Sequence, residues 1–317
     1  MGQNMIELST VFQKELDKKM VAASSTGWME VNDKLVRYEG GSSIKIADIT
    51  MDGLGNYDRS EGFPKGGVNL KFGTYDMTMD RGRTFSIDSM DVDESNFVMT
   101  AGQLLKIFQD TKVVPEVDSY RYSAIAQKAM EKDRCTYGYT PAAASIFENL
   151  TNDIAKVQDK IGVDVPLTVS MSVLTANILF NNEKISKSIN TMDFKKGEIT
   201  TVVKAINGVP IIQAPSDRLK TKYVFYNGKD EESKGGFEVA EDALSINWII
   251  SAADAPIAVS KQDNMRIFEP SQNINADAYK IDYRRYHDLW IPTNKLDGIW
   301  VNIKEAKPVS ESASEKK

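Results

Sequence analysis

The groups that usually carry chemistry are scarce in this chain: its 317 residues include one histidine, His287, and one cysteine, Cys135. Any Ser-His-Asp or Cys-His arrangement, or a histidine-bearing metal site, would have to use His287. That residue lies in Tyr286-His287-Asp288-Leu289-Trp290, which reads as a packed strand or its end, so a structural role is expected. Cys135 has no histidine near it in sequence and is expected to be a buried or bystander thiol, since a reactive one needs a neighbour that stabilises the thiolate. A lone cysteine also forms no internal disulfide and no zinc site. Paired carboxylates would suit acid-base work, but no spacing singles out a pair among the acidic residues.

Three motif fragments fail on their missing members. Gly53-Leu54-Gly55 begins a dinucleotide fingerprint, yet Asp58 stands at the third glycine position and no strand-turn-helix context follows. Gly62 and Gly67 have P-loop spacing, but Val68 and Asn69 replace the Lys and the Ser or Thr that would hold phosphate and magnesium. Asp91, Asp93 and Ser95 echo a calcium loop, with Asn96 in place of the turn glycine and Gly102 in place of the closing glutamate. No catalytic, cofactor-binding or metal-ligating residue is assigned, and an enzyme is unsupported.

Composition bounds the rest. Hydrophobic residues make up 41% and charged residues 26%, as in an ordinary globular protein. The formal net charge of -6 repels polyphosphate and argues against nucleic-acid affinity as the main activity. No apolar run has the length of about 20 residues that a membrane helix needs. Glu7, Lys14 and Glu15 interrupt the N-terminus where a signal peptide would be apolar, and Ile6 stands where a myristoylation signal needs Ser or Thr. The chain is expected to remain in the cytoplasm where it is made.

Leu8, Phe12, Leu16 and Met20 form one stripe of an amphipathic N-terminal helix, followed by polar Ser24-Ser25-Thr26-Gly27, which would leave this arm detachable. From Tyr38 to Asp88 the pattern alternates: Ile44 and Ile46, then Val68, Leu70 and Phe72, then Tyr75, Met77 and Met79. This predicts a long β-hairpin. Its middle, Gly53 to Gly67, is too rich in turn residues to build a core locally, and so is either mobile or held by another chain.

Asp91 and Glu94 predict a helix cap before Phe97, Ala101, Leu104, Leu105 and Phe108. Pro115 is expected to end or kink that helix after Val114; Val117, Tyr120, Ala124, Ile125 and Ala129 continue the pattern to about Lys132, and the two pieces could form one spine. Thr140 as N-cap and Pro141 at the first helical position predict the next helix, with Ile146, Phe147, Leu150, Ile154, Val157 and Ile161 on its apolar face and Gly162 at its end. A strand over Leu167 to Met171, a helix over Val173 to Phe180, Thr200 to Val203, and a turn at Gly208 into a strand complete an α/β unit. Beyond Phe237 the chain is strand-rich, with a hairpin expected between Tyr279 to Ile291 and Ile299 to Ile303, and a polar tail from Ser310.

Four of these segments, in order, resemble those of major capsid proteins from tailed phages of Gram-positive bacteria. They are Ile49-Thr50-Met51-Asp52-Gly53-Leu54-Gly55-Asn56-Tyr57-Asp58-Arg59; Asp80-Arg81-Gly82-Arg83-Thr84-Phe85-Ser86-Ile87-Asp88; Val113-Val114-Pro115-Glu116-Val117-Asp118-Ser119-Tyr120-Arg121; and Tyr283-Arg284-Arg285-Tyr286-His287-Asp288 with Asn294, Lys295, Gly298 and Ile299. The resemblance covers most of Ile46 to Ile303 and implies the α+β Hong Kong 97-like fold. In its terms residues 1–37 are an N-terminal arm, 38–90 an extended hairpin loop, 91–137 and 237–305 a peripheral domain with a long spine helix, 138–236 an inserted axial domain, and 306–317 a flexible tail.

The implied function is self-assembly, as pentamers and hexamers, into an icosahedral shell around double-stranded DNA, with a scaffolding protein and a portal as partners, no cofactor and no membrane. The virion capsid is then its location, after assembly in the host cytoplasm. The start at Met1, with no long helical segment ahead of the arm, favours a separate scaffolding protein. Tyr57, Asp58, Arg59, Lys65, Lys71, Asp80, Arg81 and Arg83 are the candidates for intersubunit contacts; the bland reading is that they are solvated or pair within the hairpin. Some family members cross-link through a lysine and an asparagine, but neither Lys65 nor Lys71 matches residue by residue, and that chemistry is not carried over. Two other readings are an encapsulin-like compartment shell and an α/β enzyme with a carboxylate site.

Overall fold

A computed structural model of the chain describes residues 23–30, 36–38, 43–57, 59–60, 62–89, 97–182, 189–196, 199–229 and 234–308. The predicted arm helix over Leu8 to Met20, the Asp91 and Glu94 cap and the tail from Ser310 lie outside these residues.

Strands β1 (Val36–Tyr38), β2 (Ser43–Met51) and β3 (Val68–Asp76) form an antiparallel sheet in that order. β2 and β3 pair from Ser43 opposite Asp76 to Met51 opposite Val68 and make the hairpin. The hairpin is shorter than the alternation predicts. β4 (Met79–Asp88) carries the same alternation but belongs to a different sheet, because a period of two reports a half-buried strand without naming its partner.

Helix α1 (Phe97–Phe108) continues through a π-helical turn, Gln109–Val113, into α2 (Val114–Glu131). Phe108, Val113 and Val114 all keep right-handed helical backbone, so the spine is continuous and Pro115 does not end it. The wider turn lies just ahead of the proline, where the ring would otherwise meet the carbonyl four residues back.

Strand β5 (Cys135–Thr136) precedes α3 (Ile146–Ile161), whose N-cap is Ser145, later than the predicted Thr140. Before it the chain is bound to the sheet: Gly138 N–H donates to the Glu305 carbonyl at 2.8 Å, and the Tyr139 carbonyl accepts from the Asn247 amide at 2.7 Å. Those bonds tie the residues just before Thr140 to the sheet, and the helix begins only after the turn that follows. Gly162 closes the helix as predicted, with φ +94 and its N–H on the Gln158 carbonyl.

There follow β6 (Leu167–Ser172), α4 (Val173–Phe180), β7 (Ile189–Lys196), β8 (Ile199–Ile206) and β9 (Val209–Ala214). Asn207 and Gly208, at φ 51 and 81, make the two-residue turn between β8 and β9 that suits the twist of a hairpin. The chain ends in β10 (Tyr223–Tyr226), β11 (Gly236–Val239), β12 (Ile246–Ala252), β13 (Ile257–Phe268), β14 (Ala278–Trp290) and β15 (Ile299–Ile303).

A mixed sheet of seven strands runs in the order β5-β15-β12-β6-β9-β8-β7, and a second sheet in the order β13-β14-β4; β10 and β11 pair with each other. β14 and β15 therefore do not form the predicted hairpin. Pro292 and the 3-10 turn Thr293–Gly298 carry the chain from one sheet to the other. Gly298 permits the crossing, since a Cβ there would stand 2.9 Å from the Ala252 methyl.

β6 and β12, at the centre of the large sheet, are buried at every position. Trp248, Ile249 and Ile250 of β12 pack in one core with Tyr122 and Ile125 of α2, Leu150 of α3 and Ile211 of β9. That core and its sheet run without a break across residues 138 and 236, between segments from both sides of the expected inserted domain.

Candidate assembly surface

The hairpin has two halves of opposite character. At its root Ile44, Ile46 and Met77 are buried with Ile257 and Val259 of β13, and Tyr75 lies against Trp290 with ring centroids 6.0 Å apart. The sequence gives the hairpin no core of its own; the root obtains one from β13 and β14, which are distant in the chain. Toward the tip the apolar side chains have no such cover: Met51 is 70% exposed, Phe63 87%, Val68 71% and Leu54 fully exposed.

The tip is nonetheless shaped. Asp52 N–H donates to the Gly67 carbonyl at 3.1 Å, while Gly67 N–H donates to the Asp52 carboxylate at 2.6 Å. Tyr57 packs on Phe63 with centroids 5.0 Å apart, and Gly55 lies so close to Pro64 that a Cβ would stand 2.8 Å from its ring. These large apolar side chains are uncovered by any of the described residues. Covering each large side chain would contribute about 1.5–3 kcal/mol.

The eight candidate contact residues divide by position. Tyr57, Arg59 and Lys65 are exposed at the tip. Asp58 lies outside the described residues, and Lys71 pairs through its backbone with Asp48. Asp80, Arg81 and Arg83 are on β4 and are engaged within the chain. Arg284 donates to both Asp80 oxygens, at 2.8 and 2.5 Å, and this bond holds the Asp80 carboxyl below its usual range. Arg81 binds Glu116 of α2 through Nε at 2.6 Å and the carbonyls of Tyr226 and Gly236 at 2.7 and 3.0 Å. Arg83 lies over Gly228 and Gly235 in the loop between β10 and β11.

Two buried polar clusters were not anticipated. In the first, Asp118 of α2, with no exposure, accepts from the hydroxyls of Ser24, Ser25 and Thr26 at 2.6, 2.8 and 2.6 Å, from the N–H of Ser25 and Thr26, and from Arg218 at 3.0 Å. Close by, Glu30 receives Arg121 at 2.6 Å and Arg285 at 3.0 Å. Burial alone would raise the Glu30 pKa, but the two guanidinium groups outweigh it and hold the carboxyl below 4.5. Ser24 to Thr26 are thus no detachable linker: their hydroxyls satisfy a carboxylate that water does not reach.

In the second cluster Asp288 of β14 receives the backbone N–H and the hydroxyl of Thr78 at 2.8 and 3.0 Å on one oxygen, and the Tyr120 hydroxyl on the other. His287 beside it is 1% exposed, edge-on to Tyr120, and has no hydrogen bond to Nδ1. Burial, with Arg285, Arg121 and Arg81 nearby, holds its pKa well below 6.5, so the ring is neutral and packed. Burial likewise pushes the Cys135 thiol up to about 12, which keeps it protonated and unreactive at neutral pH. Among the described residues no three acidic, histidine or cysteine side chains are placed to share a metal ion, and no helix is long and apolar enough to cross a membrane.

No family model and no curated protein matches the sequence. Solved structures do match in fold. A chain of the asymmetric unit of the bacteriophage PhiM1 mature capsid is 12% identical, with a TM-score of 0.54 over 84% of this chain and 82% of that one. A chain from the capsid of the cyanophage P-SCSP1u is 10% identical, with a TM-score of 0.52 over 84% of each. At such identity the likeness is one of fold, and the fold of this chain is that of capsid subunits of the Hong Kong 97-like type.

Proposed function

We propose that this chain is the major capsid protein of a tailed bacteriophage, assembling as pentamers and hexamers into an icosahedral shell around double-stranded DNA. The observation that carries this reading is the hairpin: packed at its root, tied across its tip by Asp52 and Gly67, and with Met51, Leu54 and Phe63 exposed where nothing among the described residues covers them. A second copy is the partner such a surface requires, because apolar contact between identical subunits repeats around a closed ring. The role is structural. A scaffolding protein and a portal are the expected partners, the virion is its location, and the host cytoplasm the place of assembly. Residues 91–137 and 237–305 are then its peripheral domain and residues 138–236 its axial domain, with one core extending through both.

Electron microscopy and size-exclusion chromatography of the purified protein test this. Closed shells, or rings of five and six, are expected from the unaltered chain. Leu54→Asp with Phe63→Asp should leave a subunit that still unfolds cooperatively but does not assemble, since both side chains are exposed. A chain that stays monomeric across concentration and salt, even with its scaffolding protein supplied, overturns the proposal. Shells that co-purify with an enzyme cargo would instead identify a compartment.

A further inference from the structure

We propose that Asp288 and Tyr286 clamp the junction between the hairpin and the body, and are positioning residues that set the direction in which the tip points. The inference rests on reading the hairpin as the arm that reaches a second copy.

Met77 and Thr78 are the two residues between β3 and β4, where the chain passes from the hairpin sheet to the sheet of β13, β14 and β4. The root core seats the hairpin on β13 and β14, and any rotation of the hairpin must pass through the four soft dihedrals of this two-residue link. Here three side-chain bonds hold it. Asp288 accepts the Thr78 N–H at 2.8 Å and its hydroxyl at 3.0 Å, and the Tyr286 hydroxyl donates to the Met77 carbonyl at 3.1 Å. Asp288 is itself fixed: it is 3% exposed, and its other oxygen takes the Tyr120 hydroxyl and the Leu289 N–H, the latter at 2.8 Å. One carboxylate thus ties the junction to β14 and to the spine helix together.

The length of the lever makes this matter. Nine residues of strand in β2 and in β3 reach roughly 30 Å, so a rotation of about 10° at the junction moves the tip by roughly 5 Å. That displacement exceeds the range of a side-chain contact. An asparagine at 288 cannot replace the carboxylate, because its amide NH2 must face a backbone donor, either Thr78 N–H or Leu289 N–H, whichever way it is turned.

The test measures hairpin direction on the unassembled subunit, independently of shell formation. Nitroxide labels at Asn56→Cys on the tip and Asn152→Cys on α3, in a Cys135→Ser background, give a distance distribution by pulsed electron paramagnetic resonance. One narrow population is expected with the clamp intact. Asp288→Asn and Tyr286→Phe should broaden or split it while circular dichroism stays unchanged. Native width in both folded variants overturns the clamp and leaves the capsid reading untouched, whereas a failure of the unaltered chain to form shells bears on that reading alone. Should Asp288→Asn not fold, Tyr286→Phe, which deletes one hydroxyl, decides the matter.

Discussion

The Thr26 hydroxyl donates to Oδ1 of Asp118 at 2.6 Å, joining two residues 92 positions apart in the interior of the protein. With Ser24, Ser25 and Arg218 on the same carboxylate, the Ser24 to Thr26 segment is a structural part of the spine helix's surroundings.

Asp118→Ala should therefore lower the unfolding free energy by about 3–5 kcal/mol, the cost of leaving several buried donors and the half-buried Arg218 without their acceptor. Urea denaturation followed by tryptophan fluorescence reads this directly. A midpoint that does not move would show that water or another acceptor serves Ser24 to Thr26 as well as the carboxylate does.

The sequence announces this cluster only faintly. Asp118 stands four residues before Tyr122, seven before Ile125 and eleven before Ala129, all buried, so it occupies the apolar stripe of the spine helix. A stripe read from apolar residues alone selects Tyr120 and Ala124, which are half-buried, and passes over Asp118 and Arg121, which are fully buried. Elements whose signals are local are legible: the Val173–Phe180 helix, the Leu167–Ser172 strand, the Gly208 turn and the Gly162 helix end. Pairings that need distant partners are not. β4 continues the hairpin's alternation yet pairs with β14, and β15 follows β14 yet pairs with β12, because periodicity fixes a face and leaves the neighbour open. At the hairpin, the sequence places Tyr57, Arg59 and Lys65 at the tip, but the exposure of Met51, Leu54 and Phe63 emerges only once the other apolar residues have found their core.

Because His287 is the chain's one histidine, it allows a clean titration. Its folded pKa is depressed well below 6.5 by burial, so below pH 6.5 the unfolded chain binds a proton that the folded chain does not. Its contribution to stability is full above that pH and is lost as pH falls toward the folded pKa, at about 1.4 kcal/mol per pH unit. Glu30, held below 4.5, loses its contribution only in more acidic solution. Urea unfolding between pH 7.5 and 5 should show this slope in the unaltered chain and none in His287→Gln. A slope that survives the substitution would assign the acid sensitivity to carboxylates.

Arg81 binds one carboxylate and two carbonyls, and these three partners make the choice of variant informative. The guanidinium joins Glu116 of α2 to the carbonyls of Tyr226 and Gly236 at the two ends of the β10–β11 loop, so it fastens that hairpin to β4 and the spine. Arg81→Ala should cost about 2–3 kcal/mol and expose the loop between β10 and β11 to limited proteolysis. Arg81→Lys keeps the charge near Glu116, but one ammonium cannot span a carboxylate and two carbonyls. Lysine is therefore expected to recover part of the stability and little of the protease resistance. Full recovery of both would mean that the ion pair with Glu116 holds the loop unaided and that the two carbonyl bonds add nothing to it.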